Sequence, residues 1–212
     1  IEKGGAKVCT IEHIMSALWT LGIDNAVVEI DAPETPIMDG SAKDFAAALS
    51  ETGLEEQEAE RQYYEVRETI DYPEKNASIV IYPDSKFSVS VHVDYHSRVV
   101  GNQYATFSEE EDYAKEIAPC RTFAFLHELE PLLAANLIKG GDLDNAIVVA
   151  EKEVSDAELE RLARVFDKKD IRITDGYVNN LQLRFINEIA RHKLLDVLGD
   201  LALLGMRIKG RI

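Results

Sequence analysis

The 212-residue sequence contains little cysteine and no long apolar segment. Its two cysteines, Cys9 and Cys120, cannot build a disulfide framework, and we expect both to be free thiols in a reducing compartment. No run approaches the roughly 20 apolar residues that a membrane helix requires. Residues 1–5 lack the apolar core of a signal peptide. The sequence therefore predicts a cytoplasmic protein without an integral membrane segment.

Basic residues are also scarce relative to acidic ones. Lysine and arginine number 23 against 39 aspartate and glutamate residues, which gives a formal net charge of −16. Because binding to a phosphate backbone requires a basic surface, we expect no nucleic-acid partner. The content of 46% hydrophobic and 29% charged residues is typical of a globular protein, and the length suits one large or two modest domains.

Two short motifs, far apart in the sequence, predict a catalytic zinc site. His192 and Asp196 are four residues apart in an apolar helical pattern, so one helix face presents both to a single ion. With His13 they make three protein ligands and leave a position for water. Glu12, beside His13, is the candidate general base that takes a proton from the attacking water.

Each half of this zinc prediction has a simpler alternative. Taken alone, a histidine followed by an aspartate four residues later is more often a surface ion pair or a capped helix end. Cys9 is a competing soft ligand, because it lies four residues before His13. The other three histidines are expected to be solvated or to make cross-strand contacts; they are His92, His96 and His127.

The hydrophobic pattern predicts alternating helical and extended segments. Thr10 is the expected cap of the first helix, and Gly22 is expected to end it. A polar, charged run at residues 55–62 has no periodicity and indicates a linker. The predicted helices cover residues 10–19, 42–52, 110–117, 128–136 and 183–205. The predicted strands cover residues 25–31, 63–66, 77–82, 87–93 and 146–149.

Longer motifs place the chain close to a known enzyme family. The first half contains VCTIEHIMSAL at residues 8–18, LGIDN at 21–25 and PIMDGSA at 36–42. The second half contains RTF at 121–123, GG at 140–141, DNAIVV at 144–149 and RHKLLDVLGD at 191–200. In this order they closely resemble the UDP-3-O-acyl-N-acetylglucosamine deacetylases of lipid A biosynthesis. The matches run along nearly the whole chain.

The resemblance implies an α+β fold of two similar domains. Each domain would be a sheet layered with helices, and the helix layers would pack together with the zinc site at their interface. The expected boundaries are residues 1–57 for the first domain, 58–62 for the linker and 63–212 for the second domain. An insert at about residues 124–149 would wall an apolar passage for the acyl chain.

The resemblance also implies a reaction and further site residues. The reaction is zinc-dependent hydrolysis of the N-acetyl group of UDP-3-O-acyl-N-acetylglucosamine to the free amine and acetate, the committed step of lipid A biosynthesis in Gram-negative bacteria. Thr122 would donate a hydrogen bond to the developing oxyanion, and Phe123 and Phe125 would shape the substrate cleft. Lys193 is the best candidate for a local basic group that meets the nucleotide sugar. Asp200 would support a histidine general acid.

The chain departs from the family at both ends. Family members carry an earlier segment, and after the region of residues 209–212 they continue into a G-H-x-x-N motif that contains the general-acid histidine. We therefore expect a fragment, truncated at both ends, with impaired activity. The alternatives are a zinc-holding but catalytically incomplete pseudo-enzyme or interaction module, and a zinc amidohydrolase of different substrate. Residues 137–145 resemble the subgroup fused to a hydroxyacyl-carrier-protein dehydratase, so such a domain is an expected partner beyond residue 212.

Overall fold

The computed structural model describes residues 1–129, 142–178 and 182–212. The chain is a mixture of helices and short sheets, which confirms the predicted α+β class. The helices are α1 (Glu12–Thr20), α2 (Lys43–Thr52), α3 (Tyr113–Glu116), α4 (Asp156–Val165) and α5 (Glu188–Ala202). The strands are β1 (Glu2–Lys3), β2 (Ala6–Lys7), β3 (Tyr63–Glu65), β4 (Ile70–Pro73), β5 (Ser78–Ile81), β6 (Phe87–Asp94), β7 (Asn102–Ser108), β8 (Phe123–Phe125), β9 (Ile147–Val149), β10 (Ile173–Thr174), β11 (Tyr177–Val178) and β12 (Arg207–Arg211). Within the described ranges, no helix combines the length and apolar character needed to cross a bilayer.

One four-stranded sheet has the order β3-β12-β6-β7. The central strand β12 runs parallel to both β3 and β6, whereas β6 and β7 form an antiparallel pair. Phe87, Val89 and Val93 of β6 are buried, because alternate residues of a strand point to the same face. That face packs on α5, the helix that carries two of the predicted metal ligands, His192 and Asp196.

A second four-stranded sheet has the order β10-β11-β9-β8. Strands β8 and β9 are parallel, and β9 buries three consecutive apolar residues, Ile147, Val148 and Val149. A strand covered on both faces has this continuous apolar pattern rather than an alternating one. Its neighbour β8 begins at Phe123, the last residue of the RTF motif, so this sheet fixes the position of that motif. Two antiparallel pairs, β1-β2 and β4-β5, stand apart from these sheets.

Helices α1 and α5 pack closely enough to bring the two predicted motifs together. Helix α1 buries the small residues Ser16 and Ala17. Across from it lies Gly199 of α5, where a Cβ atom would stand only 2.3 Å from the Glu12 carbonyl oxygen. Only glycine fits at that position without a shift, and Gly199 therefore sets the distance between the two helices. Leu194, Leu195 and Leu198 bury the rest of α5 in the main core.

Several predicted boundaries are wrong. The N-cap of α1 is Ile11, not Thr10, whose hydroxyl instead donates to Glu34 and whose φ is +56°. The predicted strand at residues 25–31 is absent, since this segment pairs with no strand in the described chain and leaves Val27 92% exposed. The predicted helices at 110–117 and 183–205 shorten to α3 and α5. Most of the predicted helix at 128–136 lies outside the described residues.

Other elements match or were missed. Gly22 follows the end of α1 with φ +79°, and α2, β3, β5, β6 and β9 form where helices and strands are predicted. The sequence patterns did not predict α4, which Ser155 caps by accepting a hydrogen bond from the Glu158 amide at 3.3 Å, nor did they predict β12. Residues 58–62 belong to no helix or strand, and Arg61 among them donates to Asp24 at 2.8 Å. The two-domain division stays a prediction.

Candidate metal centre

Helices α1 and α5 bring together His13, His192 and Asp196. Each side chain offers one potential ligand atom, and these atoms lie within 4.8 Å of one another. Both histidines are 2% exposed, and their rings meet edge to face with centroids 5.1 Å apart. The side chains predicted to be metal ligands are therefore neighbours in the fold, although 178 residues lie between His13 and His192.

The hydrogen bond of His192 fixes which nitrogen faces the centre. Its Nδ1 lies 3.0 Å from the Cys120 carbonyl oxygen, and because a carbonyl can only accept, Nδ1 must donate. In the neutral ring Nε2 then carries a lone pair, and this atom is 3.4 Å from Oδ1 of Asp196. A metal ion bound by both atoms would lie between them.

His13 supplies a second unsatisfied nitrogen. Its Nδ1 is buried and has no hydrogen-bond partner within the described ranges. Burial, followed by the neighbouring His192, lowers the pKa of His13 to about 4, against the opposing charges of Asp196 and Asp39. The imidazole is therefore neutral at pH 7, which is the state that a metal ligand requires.

The donor set and its spacing suit zinc. Two imidazoles and one carboxylate are a common set of three protein ligands in catalytic zinc sites. Zinc–ligand distances of about 2.0 Å in a tetrahedron place two ligand atoms about 3.3 Å apart. The 3.4 Å separation between His192 and Asp196 meets this requirement without a backbone movement. Cys9 is exposed and does not belong to the group, so the structure does not favour it as a ligand.

Two further carboxylates lie near the centre. Glu12 is the first residue of α1 and directly precedes His13. Burial raises the pKa of Glu12, and the charges of Asp196 and Asp200 raise it further, while its own backbone N–H and His192 oppose the shift. Desolvation and the charge of Asp196 likewise raise the pKa of Asp200. A carboxylate with a raised pKa accepts a proton more readily near neutral pH, as a general base must.

Lys193 is bound to one of the predicted ligands. Its Nζ donates to Oδ2 of Asp196 at 2.9 Å, while Oδ1 of the same carboxylate faces His192. Burial alone would lower the pKa of Lys193, but Asp196 outweighs burial and the pKa is raised. Lys193 is therefore a cation at neutral pH that orients Asp196. Its predicted contact with the nucleotide sugar stays a prediction.

Thr122 is fixed by its backbone. Its amide donates to the Gly40 carbonyl at 2.7 Å, and its carbonyl accepts from the Ile147 amide at 2.8 Å. Gly40 has φ +83°, and a Cβ there would lie 1.8 Å from the Asn145 carbonyl oxygen. The PIMDGSA loop thus packs directly against Thr122 of the RTF motif. Thr122 comes two residues after Cys120, whose carbonyl oxygen accepts the hydrogen bond from His192.

The sequence as a whole matches one family. The sequence model of LpxC, described as UDP-3-O-acyl N-acetylglycosamine deacetylase, matches residues 1–169 and 166–212. The chain belongs to the LpxC family. This confirms the resemblance inferred from the motifs, and the family's metal dependence fits the three converging side chains.

Curated relatives agree with this family. The chain is 46% identical over 215 residues to the bifunctional enzyme LpxC/FabZ of Porphyromonas gingivalis, and equally identical to that of Bacteroides thetaiotaomicron; these alignments cover 100% of the chain and 46% and 47% of the relatives. It is 39% identical over 213 residues to the UDP-3-O-acyl-N-acetylglucosamine deacetylase of Syntrophotalea carbinolica, covering 100% of the chain and 62% of that protein. The chain thus spans about half the length of the LpxC/FabZ relatives.

The aromatic residues predicted to shape the LpxC substrate cleft pack around a residue that the sequence did not reveal. Tyr95, just after β6, meets Phe123 and Phe125 edge-on at centroid distances of 5.4 and 5.6 Å. Phe125 is 7% exposed within a core cluster, so it has little surface to offer a ligand, whereas Phe123 is partly exposed. Burial raises the pKa of Tyr95, and the charges of Lys193 and Asp196 act on it in opposite directions.

The remaining candidates lie elsewhere or outside the described residues. His92 is exposed, His96 pairs with Asp94 at 3.3 Å, and His127 lies 3.7 Å from Glu151, as expected for solvated histidines. The glycine pair at 140–141 and most of the segment at 137–145 fall outside the described residues. So does the middle of the predicted acyl-chain insert, at residues 130–141.

Proposed function

We propose that this chain forms the metal centre of a zinc-dependent deacetylase that removes the N-acetyl group of UDP-3-O-acyl-N-acetylglucosamine. One observation carries the proposal: potential ligand atoms of His13, His192 and Asp196 lie within 4.8 Å of one another in a buried site, and Nδ1 of His13 has no hydrogen-bond partner among the described residues. Family membership and the names of relatives such as the Syntrophotalea carbinolica deacetylase support this substrate.

The zinc would be held by His13, His192 and Asp196, and when bound it would polarise the amide carbonyl and lower the pKa of water. Glu12 would do the proton transfer. Its carboxylate accepts a proton from the attacking water, and its raised pKa brings that acceptance closer to neutral pH. Because Glu12 and His13 are adjacent at the start of α1, the helix backbone fixes the position of the proposed base relative to the proposed ligand.

Three other side chains complete the proposed chemistry. The Thr122 hydroxyl donates to the oxygen that gains negative charge, a contact often worth about 3 kcal/mol. Lys193 orients Asp196 through Oδ2 and contributes positive charge where an anionic nucleotide sugar would approach. Asp200 supports the general acid that protonates the leaving amine. The products are the free amine and acetate.

Two wider expectations stay predictions. Two relatives carry the joint name LpxC/FabZ, and this is the basis for expecting a fused dehydratase domain as a partner. A cytoplasmic location is likewise expected from the sequence alone.

The test combines metal content with turnover in the full-length protein. Zinc is measured by elemental analysis, and deacetylation is followed as release of the free amine from UDP-3-O-acyl-N-acetylglucosamine. We expect one zinc per chain, and we expect His13→Ala and His192→Ala each to lose zinc and activity together. His92→Ala is the matched control, because His92 is exposed on β6 and should change neither.

The outcomes separate the alternatives. Zinc content that is unchanged in both His13→Ala and His192→Ala would show that the metal lies elsewhere. A protein that holds one zinc but does not release the amine would favour the catalytically incomplete interaction module. Turnover of another acetylated amine in place of the UDP sugar would favour an amidohydrolase of different substrate.

A further inference from the structure

A buried ion pair lies one helical turn from the metal centre. Nε of Arg121 donates to Oε1 of Glu188 at 2.9 Å, with the two side chains 8% and 0% exposed. Glu188 is the first residue of α5, and Arg121 opens the RTF motif. The reaction proposed above uses neither side chain directly.

The Glu188 carboxylate is surrounded by donors. Oε1 accepts from both the backbone amide and Nε of Arg121, at 3.0 and 2.9 Å. Oε2 accepts from Nη2 of Arg121 at 3.1 Å and from the Arg184 amide at 2.6 Å. The remaining contact of the guanidinium is Nη2 to the Gln182 carbonyl, at 2.7 Å. These four hydrogen bonds use the acceptor capacity of the carboxylate and hold the Glu188 side chain in one orientation.

Glu188 and His192 hold neighbouring atoms of the same segment. They are four residues apart on α5 and therefore lie on one face. His192 binds the Cys120 carbonyl, and Glu188 binds the amide of the next residue, Arg121. That carbonyl and that amide belong to the same peptide unit, so a shift of this peptide away from Glu188 would also move the oxygen that His192 needs.

We propose that Glu188 and Arg121 are positioning residues that hold the Cys120 carbonyl on Nδ1 of His192. In this way they set the tautomer that leaves Nε2 free for the metal. The inference rests on the metal site of the proposed function. Groups that orient a ligating histidine typically change metal affinity by about 10–100-fold when they are replaced.

An ion pair that only stabilised the fold would not need the hydrogen bond between Glu188 and the Arg121 amide. Burying two charges costs desolvation free energy, and an apolar pair of similar size often stabilises a fold equally well. An apolar pair would fill the same space but could not accept a hydrogen bond from the Arg121 amide. The tautomer of His192 can therefore distinguish a structural role of the ion pair from a positioning role.

The experiment compares Glu188→Gln with the parent in the full-length protein. Nitrogen-15 spectra of the metal-free protein report the His192 tautomer, with its signals assigned by their loss in His192→Ala. Competition with a chromophoric chelator reports zinc affinity. We expect the parent to carry its proton on Nδ1, and we expect Glu188→Gln to lose that preference and to bind zinc about 10–100-fold more weakly.

Glu116→Gln is the matched control. It removes the carboxylate that pairs with Arg191 at 2.9 Å, an ion pair to the residue just before His192 on the same helix. We expect the control to keep both the tautomer and the zinc affinity. Equal loss in Glu116→Gln and Glu188→Gln would mean that any ion pair on α5 has this effect, and the proposal would fail.

A second variant guards against misfolding. If Glu188→Gln does not fold, Glu188→Leu/Arg121→Met removes both charges together, and it should fold yet lose the Nδ1 tautomer. An unchanged tautomer and zinc affinity in either folded variant would overturn the proposal while leaving the metal site intact. A parent that binds no zinc would refute the proposed function, and a tautomer change in Glu188→Gln would then still support the positioning role.

Discussion

Replacing Gly199 with alanine tests how the metal centre is assembled. The new Cβ would stand 2.3 Å from the Glu12 carbonyl oxygen and 3.0 Å from the Glu12 Cα, whereas ordinary contact begins at 3.4 Å. Because the nearest atoms are backbone, α1 and α5 must separate by about 1 Å. Glu12 and His13 lie at the start of α1, so they would move away from His192 and Asp196.

The stability change should be small, because two terms oppose each other. Alanine is favoured over glycine inside a helix by about 1 kcal/mol. Overpacking typically costs about 1–3 kcal/mol. The net loss is then about 0–2 kcal/mol, and the protein should remain folded. A misplacement of about 1 Å in a catalytic group can nevertheless cost about 10²-fold in rate.

The measurements are thermal unfolding, zinc affinity and kcat/KM for deacetylation. We expect Gly199→Ala to unfold within a few degrees of the parent, to bind zinc more weakly and to lose about 10²-fold in kcat/KM. Gly210→Ala is the control, since its Cβ would meet Val66 at 2.8 Å in the sheet and not the metal centre. Parent-like zinc affinity and kcat/KM in Gly199→Ala would refute the argument that this glycine sets the helix separation.

Two other predictions concern the centre itself. Glu12→Gln should keep zinc but lose about 10²–10⁴ in rate, because the amide cannot accept a proton; near-normal turnover would remove Glu12 from the mechanism. In metal-free protein, the pKa of His13 is lowered from 6.5 to about 4, so between these values the unfolded state binds the proton that the folded state excludes. Stability should therefore fall as pH decreases from 7 to 5, by about 2 kcal/mol more than in His13→Asn, and remain level above pH 7; equal slopes in denaturant titrations of the two proteins would contradict this.

The sequence predicted those parts of the site that depend on local spacing. The four-residue interval between His192 and Asp196 places both on one face of α5, as in the structure. His13 is joined to them by an interhelix contact that no local pattern reveals, and only the family motifs connected the two. The alternation in β6 and the continuous apolar run in β9 were similarly visible, because burial dictates each residue type.

The features that the sequence did not predict depend on distant partners. Thr10 has the composition of a helix cap, but Glu34 takes its hydroxyl. Residues 183–187 continue the apolar pattern of α5, yet the chain there turns so that the Arg184 amide reaches Glu188. The ion pair between Glu188 and Arg121 spans 67 residues, and each partner alone is an ordinary charged residue of a helix or loop.

The central position of β12 has a consequence for synthesis on the ribosome. The β6-β7 hairpin can form as soon as both strands emerge, since they are close in sequence. By contrast, among the described strands β3 is joined to β6 only through β12, which is translated long after both. Until residues 207–211 appear, the nascent chain must carry the facing edges of β3 and β6 unpaired, and such edges are templates for aggregation. Completion of this sheet is thus a late, long-range step, of the kind that slows folding.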